Sequence, residues 1–312
     1  MDYCLFDYKN GDFLQVLNLV LGKRKSPVQA EEGLRLRYLH NPFGKAIIAC
    51  GLENGKAVAC IVIEQLQLFC HGKVRHCGIV STLVTKKELL LRDDIVGLMR
   101  VAEDEARKEG IEIIYAFKEL TELVKGTDDG WSFHQADFQY RALQTKQFRA
   151  LFRITDYEKP FELETIVYCD GGRHPIGQDG TSFDVVSPVM SEVFLDWFCS
   201  ISVGKKVVKG TSEDIGIIGY AGKRGGIKEF HLLNLFPQEN DEPSLLHQRG
   251  AIVSIIASVN PDIITFVEGI RLLPEDNTDY IKNHLEYGYR LLSEGIDDVE
   301  DMAVAINRWI QI

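Results

Sequence analysis

A loop that opens a helix is the first place in this sequence to look for chemistry. The run Thr85-Lys86-Lys87-Glu88-Leu89-Leu90-Leu91-Arg92-Asp93-Asp94 leads into a segment where Ile95, Leu98, Met99, Ala102 and Ala106 recur at helical spacing. A helix N-terminus offers unpaired N–H groups and the positive end of its dipole, which suits an anion such as a phosphate. Asp93 or Asp94 suits the N-cap, and Glu103 can pair with Arg107 one turn on. Two carboxylates there oppose a bound anion. At about 5 Å and an effective dielectric near 40, each charge pair costs roughly 1.5 kcal/mol, about tenfold in affinity. Lys86, Lys87 and Arg92 offset part of this. No glycine lies between Leu89 and Val96 to let a phosphate approach the backbone.

Other reactive residue types give weaker signals. Ser81-Thr82 lacks the Gly-x-Ser-x-Gly elbow that exposes a nucleophile. His71 and His76 have no partners at metal-ligand spacing, so no metal site is expected. The seven cysteines, at 4, 50, 60, 70, 77, 169 and 199, are odd in number and form no CxxC. Most lie in apolar strand-like runs and read as buried free thiols in a reducing cytoplasm.

The loop is held between two strands. Ile79 to Val84 is apolar and β-branched, Gly110 stops the helix, and Ile111 to Phe117 is a second strand, which makes a βαβ-like unit. Upstream, Tyr3–Phe6 reads as a strand. Phe13, Val16, Leu17, Val20 and Leu21 form a helix ended by Gly22. Pro27 opens another helix that stops before Asn41-Pro42. Lys45–Leu52 and Ala57–Phe69 flank an Asn54-Gly55 hairpin signal, and His71-Gly72 turns the chain into the central strand. Downstream come a short helix over Glu119–Lys125, a loop over Gly126–Gly130, and a strand-like stretch from Trp131 to Leu143 with a break. A second unit begins near Tyr157 and repeats this order. Val193–Phe198 reads as a helix, Gly204–Val208 echoes Gly44–Ile48, and Ile215–Ala221 with Ile227–Phe236 form a strand pair. Leu245–Val259 is helical, and Pro261–Phe266 answers Gly110–Ile114. The expected class is α/β: residues 1–150 and 151–312 as two units, each a mixed, mostly antiparallel sheet flanked by helices.

Composition narrows the function classes. The 312 residues carry a net charge of −11, which argues against nucleic acid or an anionic membrane as the main partner. No apolar run reaches the roughly 18–20 residues that span a bilayer. The acidic start Met1-Asp2-Tyr3-Cys4 lacks the basic region of a signal peptide. A cytoplasmic location is expected.

Three stretches resemble the GNAT superfamily of N-acetyltransferases, in particular members with two GNAT-like halves. Arg35-Leu36-Arg37-Tyr38-Leu39-His40-Asn41-Pro42-Phe43-Gly44 is similar to the W-x-Y-x-x-N-P-x-G segment of sugar- and small-amine-modifying members. Ile79 to Ala106 resembles the acyl-CoA-binding strand, loop and helix. Tyr115-Ala116-Phe117 followed by Gly130-Trp131 resembles the next strand and its sequel. The second half matches mainly by element order and by Ala305–Ile310.

The resemblance implies a bulged central strand whose backbone near Leu83 and Val84 binds the pantetheine arm. It implies a pyrophosphate loop of the form Arg/Gln-x-x-Gly-x-Gly/Ala. In that register Leu91 takes the basic position, Arg92-Asp93-Asp94 replaces the glycine-containing turn, and Ile95 and Val96 follow. Glu64 is then the candidate base, with a solvent-facing strand residue as the plainer reading. Tyr115 is the candidate acid for the leaving thiolate, or else a half-buried strand tyrosine. Arg37, Tyr38, Trp131 and His134 would meet the acceptor. The implied function is transfer of an acyl group from acetyl-CoA or another acyl-CoA, weakly bound, to a small amine of the amino-sugar or amino-acid class. A non-catalytic GNAT-like binding or assembly protein is the alternative. An acyl carrier protein as donor ranks below both, because that partner is acidic and so is this chain. A homodimer is left open.

Overall fold

The computed structural model describes the chain apart from residues 10, 23–26, 71–72, 87–90, 118, 126–129, 152, 155–163, 168–186, 189–193, 195–196, 199–200, 202–205, 212–214, 238–244, 268–279 and 311–312. The expected onset near Tyr157, most of the helix at Val193–Phe198, the turn at His71-Gly72, and Cys169 and Cys199 lie outside the described residues. Contacts divide the rest into two units. Met1–Ala136 with Leu285–Val304 form the first, and Asp137–His284 with Ala305–Ile312 the second.

The first unit runs β1 (Asp2–Leu5), α1 (Phe13–Leu21), α2 (Pro27–Leu39), β2 (Ile47–Glu53), β3 (Lys56–Cys70), β4 (Lys73–Thr85), α3 (Arg92–Lys108), β5 (Ile113–Phe117) and α4 (Glu119–Lys125). The chain then enters β6 (Ser132–Gln144), which is continuous where a break was expected. Strand order in this unit is β1-β2-β3-β4-β5, extended by β13 (Tyr280–Leu291), whose Tyr287–Leu291 pair antiparallel with β5. Among the described pairings along this strand order, only β4 with β5 is parallel.

Strand alternation sorts the core of this unit. On β3, Ala59, Ile61 and Ile63 join Val80, Ile114 and the α3 residues Leu98, Met99 and Ala102. Cys60 and Val62 point the other way and join Val16, Tyr38, Ile48 and Cys50. Burying each large aliphatic side chain contributes about 1.5–3 kcal/mol. The same alternation sends Glu64, an even position of β3, toward α2. Cys4, Cys50, Cys60, Cys70 and Cys77 are free.

The second unit continues β6 and adds α5 (Thr145–Leu151), β7 (Glu164–Val167), β8 (Ser187–Pro188), β9 (Lys206–Thr211), β10 (Ile215–Arg224), β11 (Ile227–Pro237), α6 (Leu245–Val259) and β12 (Ile263–Val267). Its strand order is β6-β12-β11-β10-β9-β7. Strands β11 and β12 are parallel, and the other pairings in that series are antiparallel. Phe148, Phe230, Ile252, Ile255, Ile264 and Phe266 fill its core. Helix α7 (Val299–Ile310) closes the described chain. No helix among the described residues is long and apolar enough to cross a membrane.

Candidate functional site

The last turn of α2 is clamped onto β3 by the Asn41-Pro42-Phe43-Gly44 run. The Asn41 side-chain amide donates to the Gln65 carbonyl at 2.7 Å, and its oxygen accepts from the Phe43 N–H at 3.0 Å. The Ala46 N–H donates to the Tyr38 carbonyl at 2.8 Å. Gly44 has φ +137°, and a Cβ there would meet the Gln65 amide at 2.6 Å. Gln65 uses that space to donate to the Lys45 carbonyl at 2.8 Å. These local bonds fix Arg37 and Tyr38 over the neighbouring Glu64.

Arg37 and Glu64 form a two-pronged pair. Nε donates to Oε2 at 3.1 Å, and Nη2 lies 2.9 Å from Oε1. The second contact is an ion pair at an angle that makes no hydrogen bond, so buried Oε1 keeps unused accepting capacity. The two partners differ in exposure: the Arg37 side chain is 36% exposed and that of Glu64 only 7%. Glu64 is thus a buried ion rather than a solvent-facing strand residue. The Glu64 charge raises the pKa of Arg37. Such a pair is held together by the cost of leaving its buried member alone.

Tyr38 completes the cluster. Its hydroxyl is 3.0 Å from Thr82 Oγ1 on β4, and burial and the Glu64 charge push its pKa up to about 12. Ser81 is the extra residue of a β-bulge: Val62 pairs with Thr82 while Ile63 pairs with Val80. Its Oγ is buried beside the Tyr38 hydroxyl, whose pKa it helps to lower.

The bulge sits where the sheet opens. Strands β4 and β5 pair only over Cys77–Ile79, opposite Ile113–Tyr115. Beyond Ile79, β4 runs on through Leu83 and Val84 to Thr85 without pairing to β5. Backbone groups along this splayed stretch suit an extended amide chain, which is the shape of a pantetheine arm.

The start of α3 suits a phosphate less well. Leu91 is its N-cap, correcting the expectation of Asp93 or Asp94, and a leucine side chain accepts no hydrogen bond. Asp94 stands at the third helical position, only 7% exposed. It accepts from the Tyr3 hydroxyl at 2.8 Å and from the Leu91 N–H at 3.4 Å. Gly97 makes this possible, since a Cβ there would meet the Tyr3 ring at 2.3 Å. Leu91, Arg92 and Asp93 are exposed, Ile95 is buried and Val96 is half-buried. Asp93 therefore remains beside the helix N-terminus as an exposed carboxylate, and Asp94 as a buried one tied to β1.

The remaining candidate residues are distributed as follows. Tyr115 is in register with Ile79, which is in register with Glu64, so the three share one row on one face. Tyr115 is fully buried, and its hydroxyl donates to the Val299 carbonyl at 2.9 Å. Burial raises its pKa well beyond the ordinary tyrosine value. His134 is exposed and stacks on Tyr287 and Tyr289 at 6.0 and 5.3 Å. Trp131 packs against the core on the α3 side, whereas Tyr38 belongs to the core on the α1 side. The structure thus gathers Arg37, Tyr38 and Glu64 and separates Trp131 from them. Sequence reasoning missed Ser81 as the bulge residue and missed Tyr287 and Tyr289 altogether. The period-two pattern Leu285, Tyr287, Tyr289, Leu291 is the signal that marks their strand. No group of three metal-ligating side chains occurs among the described residues.

No family model and no curated sequence matches this chain. Solved structures do. A GCN5-related N-acetyltransferase from Kribbella flavida aligns with TM-score 0.63 at 15% identity, covering 93% of this chain and 71% of that one. A conserved protein of unknown function from Enterococcus faecalis, described as a probable N-acyltransferase, aligns with TM-score 0.60 at 10% identity, covering 96% and 73%. Eis1 from Mycobacterium abscessus aligns with TM-score 0.54 at 9% identity, covering 93% and 74%. At these identities the likeness concerns the fold. The chain has the fold of the GNAT superfamily of N-acetyltransferases, built as two GNAT-like units in tandem.

Proposed function

We propose that the first unit transfers an acyl group from acyl-CoA to a small amine of the amino-sugar or amino-acid class. One observation carries this reading: a buried carboxylate, Glu64, stands at the row where β4 leaves β5, next to the β4 bulge. The strand part of the site suits acyl-CoA, and the α3 start weakens it, so binding below the strength usual for the fold is expected. Leu83 and Val84 would line the acyl-carrier arm, and Arg92 would face its phosphates.

An acceptor arrives as an ammonium. Glu64 takes one proton, and the freed nitrogen lone pair attacks the thioester carbonyl carbon. The new C–N bond forms, the C–S bond breaks, and the thiolate takes the second proton lost by the nitrogen. Products are an amide, free CoA thiol and one proton held on Glu64. Tyr115 as acid would have to leave the Val299 carbonyl; the second amine proton serves without it.

The experiment is release of CoA thiol from acetyl-CoA by the whole chain across a panel of amines, with calorimetry for acetyl-CoA binding. Amine-dependent release supports the reading. Absence of both release and binding favours the second reading, a non-catalytic GNAT-like binding or assembly protein, which the carboxylates at the α3 start support.

A further inference from the structure

The Arg37–Glu64 pair is itself a description of what could replace it. A guanidinium and a carboxylate in direct contact, at 2.9 and 3.1 Å, present the charge-reversed image of a molecule holding an ammonium and a carboxylate close together. The two partners are unequally free. Arg37 extends from the last turn of α2 and is more than a third exposed, so it can swing into water. Glu64 sits on a central strand and stays in place. If Arg37 leaves, the Glu64 carboxylate is buried without a counter-charge unless a cation takes its position. An incoming ammonium supplies that cation. It also supplies a donor to Glu64 Oε1, a buried oxygen that makes no hydrogen bond. The displaced guanidinium then needs an anion, and its planar fork matches a carboxylate.

We propose that the acceptor is an α-amino acid, bound by exchange of partners, its ammonium to Glu64 and its carboxylate to Arg37. This inference rests on the acyl-transfer reading of the same site and deepens it by selecting between the two amine classes. The exchange keeps the local charge unchanged. A cationic amino sugar or simple amine would leave Arg37 unpaired beside a second cation. Direct contact between the two protein heads also requires that the ligand's groups be close, as on one carbon, rather than at the ends of a long chain. Tyr38 stays in place during the exchange, held to Thr82.

The test measures binding and turnover separately on the whole chain. Binding to the twenty L-amino acids, their amides, glucosamine and putrescine is followed by ligand-observed NMR, and turnover by thiol release from acetyl-CoA. At least one amino acid should bind tenfold or more tighter than its own amide and than either other amine. R37M should shrink the ratio of acid to amide to below threefold, and R37K, which keeps the charge but not the fork, should fall between. The proposal is overturned if amides, glucosamine or putrescine bind as well as every amino acid, if no amino acid binds, or if R37M keeps the full ratio. Amino-acid binding without thiol release sinks the acyl-transfer reading and leaves this recognition standing. Thiol release with glucosamine or putrescine only does the reverse.

Discussion

Strands β4 and β11 repeat one backbone device with different side chains. Each is the second strand of a hairpin, carries a bulge, and leads to a helix and a parallel strand. In the first unit Ser81 is the extra residue, and parallel pairing stops at Ile79. In the second, Ile218 pairs with Asn234 and Gly219 with Leu232, so Leu233 is the extra residue, and parallel pairing stops at Leu232. Counting back from each bulge aligns Glu64–Ile79–Tyr115 with Tyr220–His231–Thr265. The second row is linked by side-chain contacts. His231 Nδ1 lies 2.8 Å from Thr265 Oγ1, which donates to Glu229 Oε1 at 3.0 Å, while the Tyr220 ring lies tilted against His231 with centroids 4.9 Å apart. The first row ends on a carboxylate with accepting capacity to spare. The lesson is that the bulge and splay belong to the backbone, and that chemistry depends on which row keeps an unsatisfied group.

The largest expected effect breaks that contrast directly. Glu64→Gln should lower thiol release about a hundredfold with acetyl-CoA affinity unchanged within about twofold. Tyr220→Phe and Thr265→Val, in the matching row, should leave the rate within about twofold. Comparable losses in both units, seen in steady-state kinetics, would show that the two rows share the reaction.

The next sharpens the account of the α3 start. Asp93→Gly removes an exposed carboxylate beside the proposed phosphate position and should tighten acetyl-CoA about tenfold by calorimetry. Asp94→Gly should instead cost about 1 kcal/mol in denaturant unfolding, because the Tyr3 hydroxyl and the Leu91 N–H lose their acceptor. Tightening by Asp94→Gly alone, with no loss of stability, would reverse these assignments.

The smallest concerns a histidine of the first unit. Burial lowers the pKa of His76 from its ordinary value of 6.5, and its buried Nε2 has no hydrogen-bond partner. The unfolded chain therefore binds the proton more readily than the folded one. Stability from the neutral ring is present above about pH 6.5 and is lost as pH falls toward the lowered folded value. His76→Leu should make the acid-side fall in Tm smaller. An identical pH profile in the variant would exclude this histidine as a source.

Features set by local chemistry were legible in the sequence. Asn54-Gly55 announced a hairpin and takes φ of 51° and 72° there, as a two-residue turn of this type requires. Gly22 and Gly110 announced helix ends, and both have positive φ. Asn41-Pro42-Phe43-Gly44 marked the clamp, although its partner Gln65 was not legible. Neither was the Arg37 hold on Glu64, since a contact 27 residues away leaves no trace in the periodicity of either segment.

By itself, then, the sequence determined most elements of the first unit and the strand pair, helix and strand that echo them in the second, but not β7, β8 or β13, because helix and strand periods, caps and turns are properties of neighbouring residues. Only the tertiary structure decided that Leu285–Val304 joins the first unit, that Ser81 bulges, that Tyr115 gives its hydrogen to Val299 184 residues later, and that Glu64 is a buried ion. Strand register and long-range pairing are settled by which faces can be buried together, and no single segment carries that information.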